Sequence, residues 1–135
     1  MNIPQNILTA VNEWLTPTFD KETHEAIKEM MTSSPKNLEE SFYKNLEFGT
    51  GGMRGIMGAG TNRINKYTLG KSTQGLSNYM LQVFPGKQLK VVIASDCRHN
   101  SQTLAKVVAD VFSANGIKVY LFSSLRPTPE LSFAL

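Results

Sequence analysis

The feature that most constrains the fold is a pair of short apolar runs separated by a helical pattern. Residues 89–94 are almost continuously apolar, which is typical of a strand buried on both faces in a parallel sheet. A one-faced apolar stripe follows in residues 104–112, and residues 117–122 are again rich in β-branched and aromatic side chains. Parallel strands need such a crossover, so the pattern predicts a right-handed β-α-β unit and an α/β fold.

The chain before this unit favours helices. Residues 7–15, 26–31 and 38–46 each place apolar side chains at helical spacing. Asp20 stands at an N-cap position before the second pattern, and Ser34 or Asn37 is a candidate cap for the third, which we expect to include Leu46. A further apolar stripe predicts a helix in residues 67–84, with one face formed by Tyr67, Leu69, Leu76, Met80, Leu81 and Phe84. We therefore divide the chain into a helical extension, residues 1–45, and an α/β domain, residues 46–135.

A glycine-rich stretch, FGTGGMRG at residues 48–55, is the first candidate site. It is not a P-loop, because no Lys-Ser or Lys-Thr pair follows its last glycine. It does not match the dinucleotide-binding fingerprint either, because Arg54 stands where that motif has its third small residue. The glycines predict a strand or hairpin whose backbone approaches a ligand closely. Thr50, Gly51 and Arg54 then supply a hydroxyl, an open backbone and a planar fork suited to phosphate. The alternative is a hairpin whose arginine pairs with a carboxylate elsewhere.

A second loop, SDCRHNS at residues 95–101, follows the first apolar run. Ligands of α/β sheets collect at the carboxyl ends of strands. We expect Asp96 and Arg98 to pair and to hold this loop, with Asn100 or Ser101 capping the next helix. A catalytic thiol at Cys97 lacks an orienting group beyond His99, so the loop is interpreted as structural. The segment at Arg126 follows the second strand, and all three loops are expected to converge on one edge.

Composition excludes several classes of function. The chain has 135 residues and a net charge of +3, with its lysines scattered rather than clustered, so no nucleic-acid surface is expected. No apolar run approaches the roughly 18 residues that span a bilayer, and no membrane partner is expected. A single cysteine, Cys97, and the lack of a signal peptide in residues 1–15 favour the reducing cytoplasm.

Three motifs together, FGTGGMRG, ASDCRHNS and RPTPELSFAL, carry a family resemblance. In order and approximate spacing the chain resembles the α-D-phosphohexomutases, and it is similar to the first domain of a phosphoglucomutase or phosphomannomutase with a helical N-terminal extension. The resemblance implies a three-layer α/β/α sandwich with a mixed sheet, one of four domains in the family. It also implies a phosphoserine that moves a phosphoryl group between positions 1 and 6 of a hexose phosphate through a bisphosphate intermediate, with Mg²⁺ present.

The same resemblance assigns roles to residues. Arg54 matches the family's active-site arginine of the first loop, which implies a catalytic role, and Thr50 and Gly51 share that phosphate-binding loop. The family's catalytic serine loop should follow the RPTP segment and is not in residues 1–135, so we assign no serine as nucleophile. Metal ligands are assigned to no residue of this chain and are expected in later domains. Glucose 1,6-bisphosphate is expected as activator or intermediate.

The end of the sequence bears on the expected activity. Thr128, Pro129 and Glu130 are an N-cap, an N1 proline and a first-turn acid, and no stop signal follows before Leu135. We therefore expect the natural chain to continue, this fragment to be an inactive part of a mutase, and the remaining domains to be its partners. The alternative is a non-catalytic phosphosugar-binding or regulatory module on the same scaffold. The motifs do not distinguish glucose from mannose.

Overall fold

The computed structural model describes residues 3–135, which divide into two compact units. The first unit ends at Thr68 and the second comprises Leu69–Leu135. The helices are α1 (Gln5–Trp14), α2 (Lys21–Ser33), α3 (Pro35–Phe42), α4 (Lys66–Val83), α5 (Ser101–Ala114) and α6 (Thr128–Phe133). The strands are β1 (Phe48–Gly49), β2 (Gly52–Met53), β3 (Lys90–Ile93) and β4 (Lys118–Leu121). The predicted α/β class is confirmed.

The core of the first unit lies among α1, α2 and α3. Its buried members are Ile7, Val11, Trp14, Ile27, Leu38 and Phe42. The Trp14 ring stacks on Phe19 with 4.6 Å between centroids and meets Phe42 edge-on at 5.6 Å. Such aromatic pairs contribute about 0.5–1.5 kcal/mol each beyond their buried area. The one-faced stripes of α1, α2 and α3 therefore serve packing, as their spacing predicts.

Asp20 joins the start of α2 to residues at the start of α4. Its Oδ1 accepts the Thr23 backbone N–H at 2.9 Å, which confirms it as the N-cap. The Lys66 Nζ lies 2.8 Å from its Oδ2, and the Tyr67 hydroxyl donates to the same oxygen. The Lys66 ammonium, then Tyr67 and the Thr23 N–H hold the pKa of Asp20 well below its usual range. Asp20 raises the pKa of Lys66 in turn.

The third helix is shorter than its apolar pattern predicts. It begins at Pro35, with Ser34 at the cap position, and ends at Phe42, so the expected inclusion of Leu46 is wrong. The reason is a competing partner for the backbone, because the Leu46 N–H donates to the Thr61 carbonyl at 2.8 Å.

In the second unit, β3 and β4 form the predicted parallel pair with α5 between them in sequence. Their register runs from Lys90 opposite Lys118 to Ile93 opposite Leu121. The buried apolar residues of this unit are Ala109, Phe112 and Ile117. Both strand orientations of the expected mixed sheet are present, but among residues 3–135 the antiparallel pair β1-β2 and the parallel pair β3-β4 form separate sheets.

Burial in the second unit departs from the sequence pattern at two elements. The β3 residues Val91, Val92 and Ile93 are only half-buried, because β4 is the one strand that pairs with β3 within the described part of the chain. The expectation that this strand is buried on both faces is therefore wrong. Helix α4 buries Thr73 and Ser77, whereas Leu76 and Leu81 of its apolar face are exposed.

Two helix caps also differ from expectation. Asn100 occupies the N-cap position of α5 with φ of 59°, but its side chain makes no capping hydrogen bond. For α6 the cap position is Pro127, and Thr128 is the first helical residue. Within residues 3–135, none of the helices combines the length and the hydropathy that crossing a bilayer requires.

Candidate functional site

The glycine-rich stretch forms the predicted hairpin. Phe48 pairs with Met53 and Gly49 with Gly52 in an antiparallel ladder, and the chain reverses through Thr50 and Gly51. Gly52 has φ of 101°, a conformation that side chains with a Cβ rarely adopt. The turn thus depends on glycine at position 52, and it leaves the hairpin tip exposed to solvent.

The Arg54 side chain folds back over this turn. A Cβ built on Gly51 would lie 3.0 Å from Arg54 Nη2 and 3.8 Å from its Cζ, so the guanidinium rests against the bare backbone of Gly51. Arg54 is exposed, and among residues 3–135 no carboxylate lies within ion-pairing distance of it. The alternative of an arginine neutralised by a carboxylate is therefore not what the described residues show. A guanidinium without an acid keeps its paired N–H donors for an oxyanion.

A cleft of about 440 Å³ contains this arginine. It brings together all three predicted phosphate-binding residues, Thr50, Gly51 and Arg54. Its lining also includes a second cation, Lys44, and one acid, Glu47. Lys44 was not identified from the sequence, because it precedes the glycine motif and lacks a pattern of its own.

A segment at residues 61–64, here called the brace, connects the hairpin to helix α3. The segments just before and just after the hairpin, here called its stems, both bond to the brace. In the first stem the Leu46 N–H donates to the Thr61 carbonyl at 2.8 Å, and in the second stem the Ile56 carbonyl accepts the Ile64 N–H at 2.8 Å. On the other side, the Asn62 backbone N–H donates to the Ser41 carbonyl at 2.9 Å in the last turn of α3. Carbonyls at a helix C-terminus lack intrahelical partners, and the brace supplies them.

Arg63 is the buried member of the brace, with only 6% of its surface exposed. Its Nη1 donates to the Glu40 carbonyl at 3.2 Å, and its Nη2 donates to Asn37 Oδ1 at 3.0 Å. No carboxylate among the described residues forms an ion pair with it, so the negative end of the α3 dipole and these oxygens balance its charge. Sequence reasoning missed Arg63 because its turn, TNRIN, indicates only a loop.

The second predicted loop lies in the second unit and contains the expected ion pair. Arg98 Nε lies 2.8 Å from Asp96 Oδ2, and the Arg98 backbone N–H donates to Asp96 Oδ1 at 3.0 Å. That N–H is the main cause that holds the pKa of Asp96 below its usual value. The Asp96 N–H donates to Ser101 Oγ at 3.2 Å, which closes the loop on α5. Asp96, Arg98 and Ser101 line a cleft of about 280 Å³. Asn100 lines it too, but its side chain makes no hydrogen bond to the end of α5.

The two loops of the second unit are joined to each other. The Arg126 backbone N–H donates to the Ser95 carbonyl at 3.0 Å, and the Arg126 side chain pairs with Glu130 at 3.0 Å. Two of the three loops expected to converge are thus adjacent. The approach of the glycine-rich loop to them stays a prediction.

The described residues offer little to a metal ion. Across residues 3–135, no three His, Cys, Asp or Glu side chains are grouped so that they could hold a metal. The residues present therefore do not fit the Mg²⁺ that the family resemblance implies, and we derive no step through it.

Comparison with known proteins identifies the family. Residues 45–135 match the family model described as phosphoglucomutase/phosphomannomutase, alpha/beta/alpha domain I. A probable phosphoribomutase of Schizosaccharomyces pombe is 35% identical over 93% of this chain and 22% of its own length. A phosphoglucomutase of Staphylococcus haemolyticus is 38% identical over 72% of this chain and 17% of its own. A glucose 1,6-bisphosphate synthase of Mus musculus is 37% identical over 94% of this chain and 22% of its own.

The chain thus spans about a fifth of the length of these relatives. No solved structure matches it significantly. The family match covers the hairpin, the brace and both loops of the second unit, which lie within residues 45–135. The chain therefore belongs to the phosphoglucomutase/phosphomannomutase family, of which it carries α/β/α domain I.

Proposed function

We propose that this chain is the N-terminal part of a phosphosugar mutase that moves a phosphoryl group between positions 1 and 6 of a hexose through a phosphoserine and a bisphosphate. The observation that carries the proposal is the Arg54 guanidinium, exposed, folded over Gly51 and without an acid among the described residues. Family membership supports the reaction class.

In this proposal Arg54 grips the phosphate that is transferred, and the Thr50 hydroxyl and the Gly51 backbone border the same anion. Phosphoryl transfer leaves the protein mainly positioning and charge stabilisation. Each charge-assisted hydrogen bond from the guanidinium contributes roughly 1.5–3 kcal/mol. The nucleophilic serine, the Mg²⁺ ligands and the sugar-recognition loop are proposed to lie in domains outside these residues. The domain division at residues 45 and 46, like the cytoplasmic location, belongs to the same proposal.

A pentose phosphate is the second candidate substrate. The relative named a phosphoribomutase matches 93% of this chain, which must include most of the N-terminal helical segment. The relative named a glucose 1,6-bisphosphate synthase matches as fully, and it supports a hexose bisphosphate as intermediate or activator.

The test is a coupled assay of the full-length protein with glucose 1-phosphate, mannose 1-phosphate and ribose 1-phosphate, each with and without glucose 1,6-bisphosphate. We expect conversion of glucose 1-phosphate, stimulated by the bisphosphate. Preference for ribose 1-phosphate would replace the hexose by the pentose. Absence of turnover with all three, in a protein that binds sugar phosphates, would favour the non-catalytic module.

The 135-residue chain is the matched control in that assay. We expect it to show no turnover, because it lacks the family's serine loop. Turnover that co-purifies with this chain would contradict the assignment of the nucleophile to another domain.

A further inference from the structure

The brace makes the position of the Arg54 hairpin depend on helix α3. The hairpin itself is small: its two strands have two residues each, and its tip is exposed. A two-stranded hairpin is marginally stable by itself in water. The geometry that the hairpin adopts must therefore be set by what holds its stems.

Both stems are held by the brace and not by each other alone. Before the hairpin, Thr61 Oγ1 donates to the Lys44 carbonyl at 2.7 Å, beside the Leu46 to Thr61 bond. After the hairpin, a Cβ on Gly55 would come within 2.9 Å of Leu46 Cδ1, so the second stem packs closely on the first. Movement of residues 61–64 would therefore move both stems and, with them, Arg54.

The brace is in turn held by Arg63. Its two terminal nitrogens bond to different residues of α3, Glu40 and Asn37, and its aliphatic stem lies 3.9 Å from where a Cβ of Gly58 would be. Nearby, Gly60 approaches α3 so closely that a Cβ there would lie 2.4 Å from the Ser41 carbonyl oxygen. A lysine at position 63 keeps the charge but has one nitrogen and loses the fork that spans both partners.

We propose that Arg63 is a positioning residue for the phosphate site: by bonding the brace to α3 at both Asn37 and Glu40, it holds the Arg54 hairpin in its phosphate-binding geometry. This inference rests on the proposed function, since it takes the Arg54 loop to bind phosphate. It also gives the N-terminal helices a role, which is to carry the support of the binding loop. Sites lose affinity when the support of the contacting residues is loosened.

The test is calorimetric titration of this chain with inorganic phosphate, for the wild type, Arg63→Lys, Asn37→Ala and Tyr67→Phe. We expect about tenfold weaker binding in Arg63→Lys, because loss of the two-point attachment frees the stems. Asn37→Ala should weaken binding roughly threefold, since it removes one acceptor of Arg63 from an exposed helical site where alanine is favourable. Asn37→Ala thus tests the inference even where Arg63→Lys fails to fold.

Tyr67→Phe is the control for general loss of stability in the same unit. It removes the hydroxyl that bonds Asp20 and touches none of the Arg63 bonds, so phosphate affinity should stay at the wild-type value while the melting temperature falls. The inference would be overturned if Asn37→Ala, and Arg63→Lys where it folds, bound phosphate with wild-type affinity. It would also be overturned if Tyr67→Phe lost as much phosphate affinity as those two variants. An Arg54→Lys variant separates the role of Arg54 from that of Arg63. If Arg54→Lys also binds phosphate with wild-type affinity, the proposed function fails. If Arg54→Lys binds phosphate weakly while the Arg63 and Asn37 variants bind it normally, only the role of Arg63 fails.

Discussion

The two arginine loops of this chain differ in whether the arginine has an acid. Arg98 is bound by Asp96, which accepts both from its side chain at 2.8 Å and from its backbone at 3.0 Å. Arg54 has no carboxylate partner among the described residues and lies against glycine instead. An arginine already engaged by a carboxylate must give up that bond to bind an anion, whereas an arginine over a glycine need not. The comparison therefore supports the proposal that Arg54 binds phosphate, whereas Arg98 holds its own loop.

The largest effect is expected for Arg54→Lys in the full-length protein. Lysine keeps the charge but loses the paired donors, so turnover should fall about a hundredfold, near the effect of removing one transition-state donor in other enzymes. The measurement is turnover per folded enzyme, with a melting temperature for each variant. The melting temperature should not change, because Arg54 is exposed.

Arg98→Lys is the matched control for that substitution. We expect near-normal turnover per folded enzyme and a small fall in melting temperature, because the Asp96 pair is largely exposed. The assignment of the two loops would be reversed if Arg98→Lys lost turnover and Arg54→Lys retained it.

A second substitution gives Arg54 a carboxylate neighbour, as Arg98 already has in Asp96. In Gly51→Asp the new carboxylate would stand beside the guanidinium, since a Cβ at position 51 already lies 3.0 Å from Arg54 Nη2. Phosphate affinity should fall about tenfold relative to Gly51→Asn, which has the same shape without the charge. Titration of both variants with inorganic phosphate measures the difference. Equal phosphate affinities in the two variants would mean that the anion does not bind at the Arg54 guanidinium.

A smaller effect is expected for Asp20, which we compare with Asp96. Asp20 and its partner Tyr67 are half-buried, although its other partner, Lys66, is exposed. The folded-state pKa of Asp20 is lowered, so its contribution to stability is present above the unfolded pKa, near 3.9, and is lost as the pH falls below it. Unfolding midpoints between pH 7 and pH 3 should therefore drop less in Asp20→Asn than in the wild type. Asp96→Asn should leave the profile almost unchanged, because its ion pair is exposed. A larger change in Asp96→Asn would contradict this ranking.

The sequence predicts those parts of the molecule whose partners are close in the chain. The Asp20 cap, the ends of α2 and the parallel pair around α5 follow from residues within a few turns of each other. The hairpin follows from its glycines, because few other residues adopt the φ of Gly52. In each case the determining chemistry is local.

Elements whose environment depends on distant residues were harder to predict. Leu46 has the right spacing to extend α3, but Thr61 takes its N–H. Arg63 is buried only because Asn37 and Glu40, far earlier in the chain, supply its acceptors. On α4 the apolar residues Leu76 and Leu81 are exposed, while the polar Ser77 is buried. Periodicity reveals that a face exists and does not reveal which face is covered.

The most direct test of the central claim is the arginine side-chain NMR spectrum of this chain during titration with inorganic phosphate. The Nε–Hε signals of Arg54 and Arg98 are assigned by their disappearance in the two lysine variants. We predict a saturable shift of the Arg54 signal, accompanied by the Thr50 and Gly51 amides, while the Arg98 signal stays in place because Asp96 occupies its Nε. A saturable shift at Arg98 with an unmoved Arg54 would contradict the account.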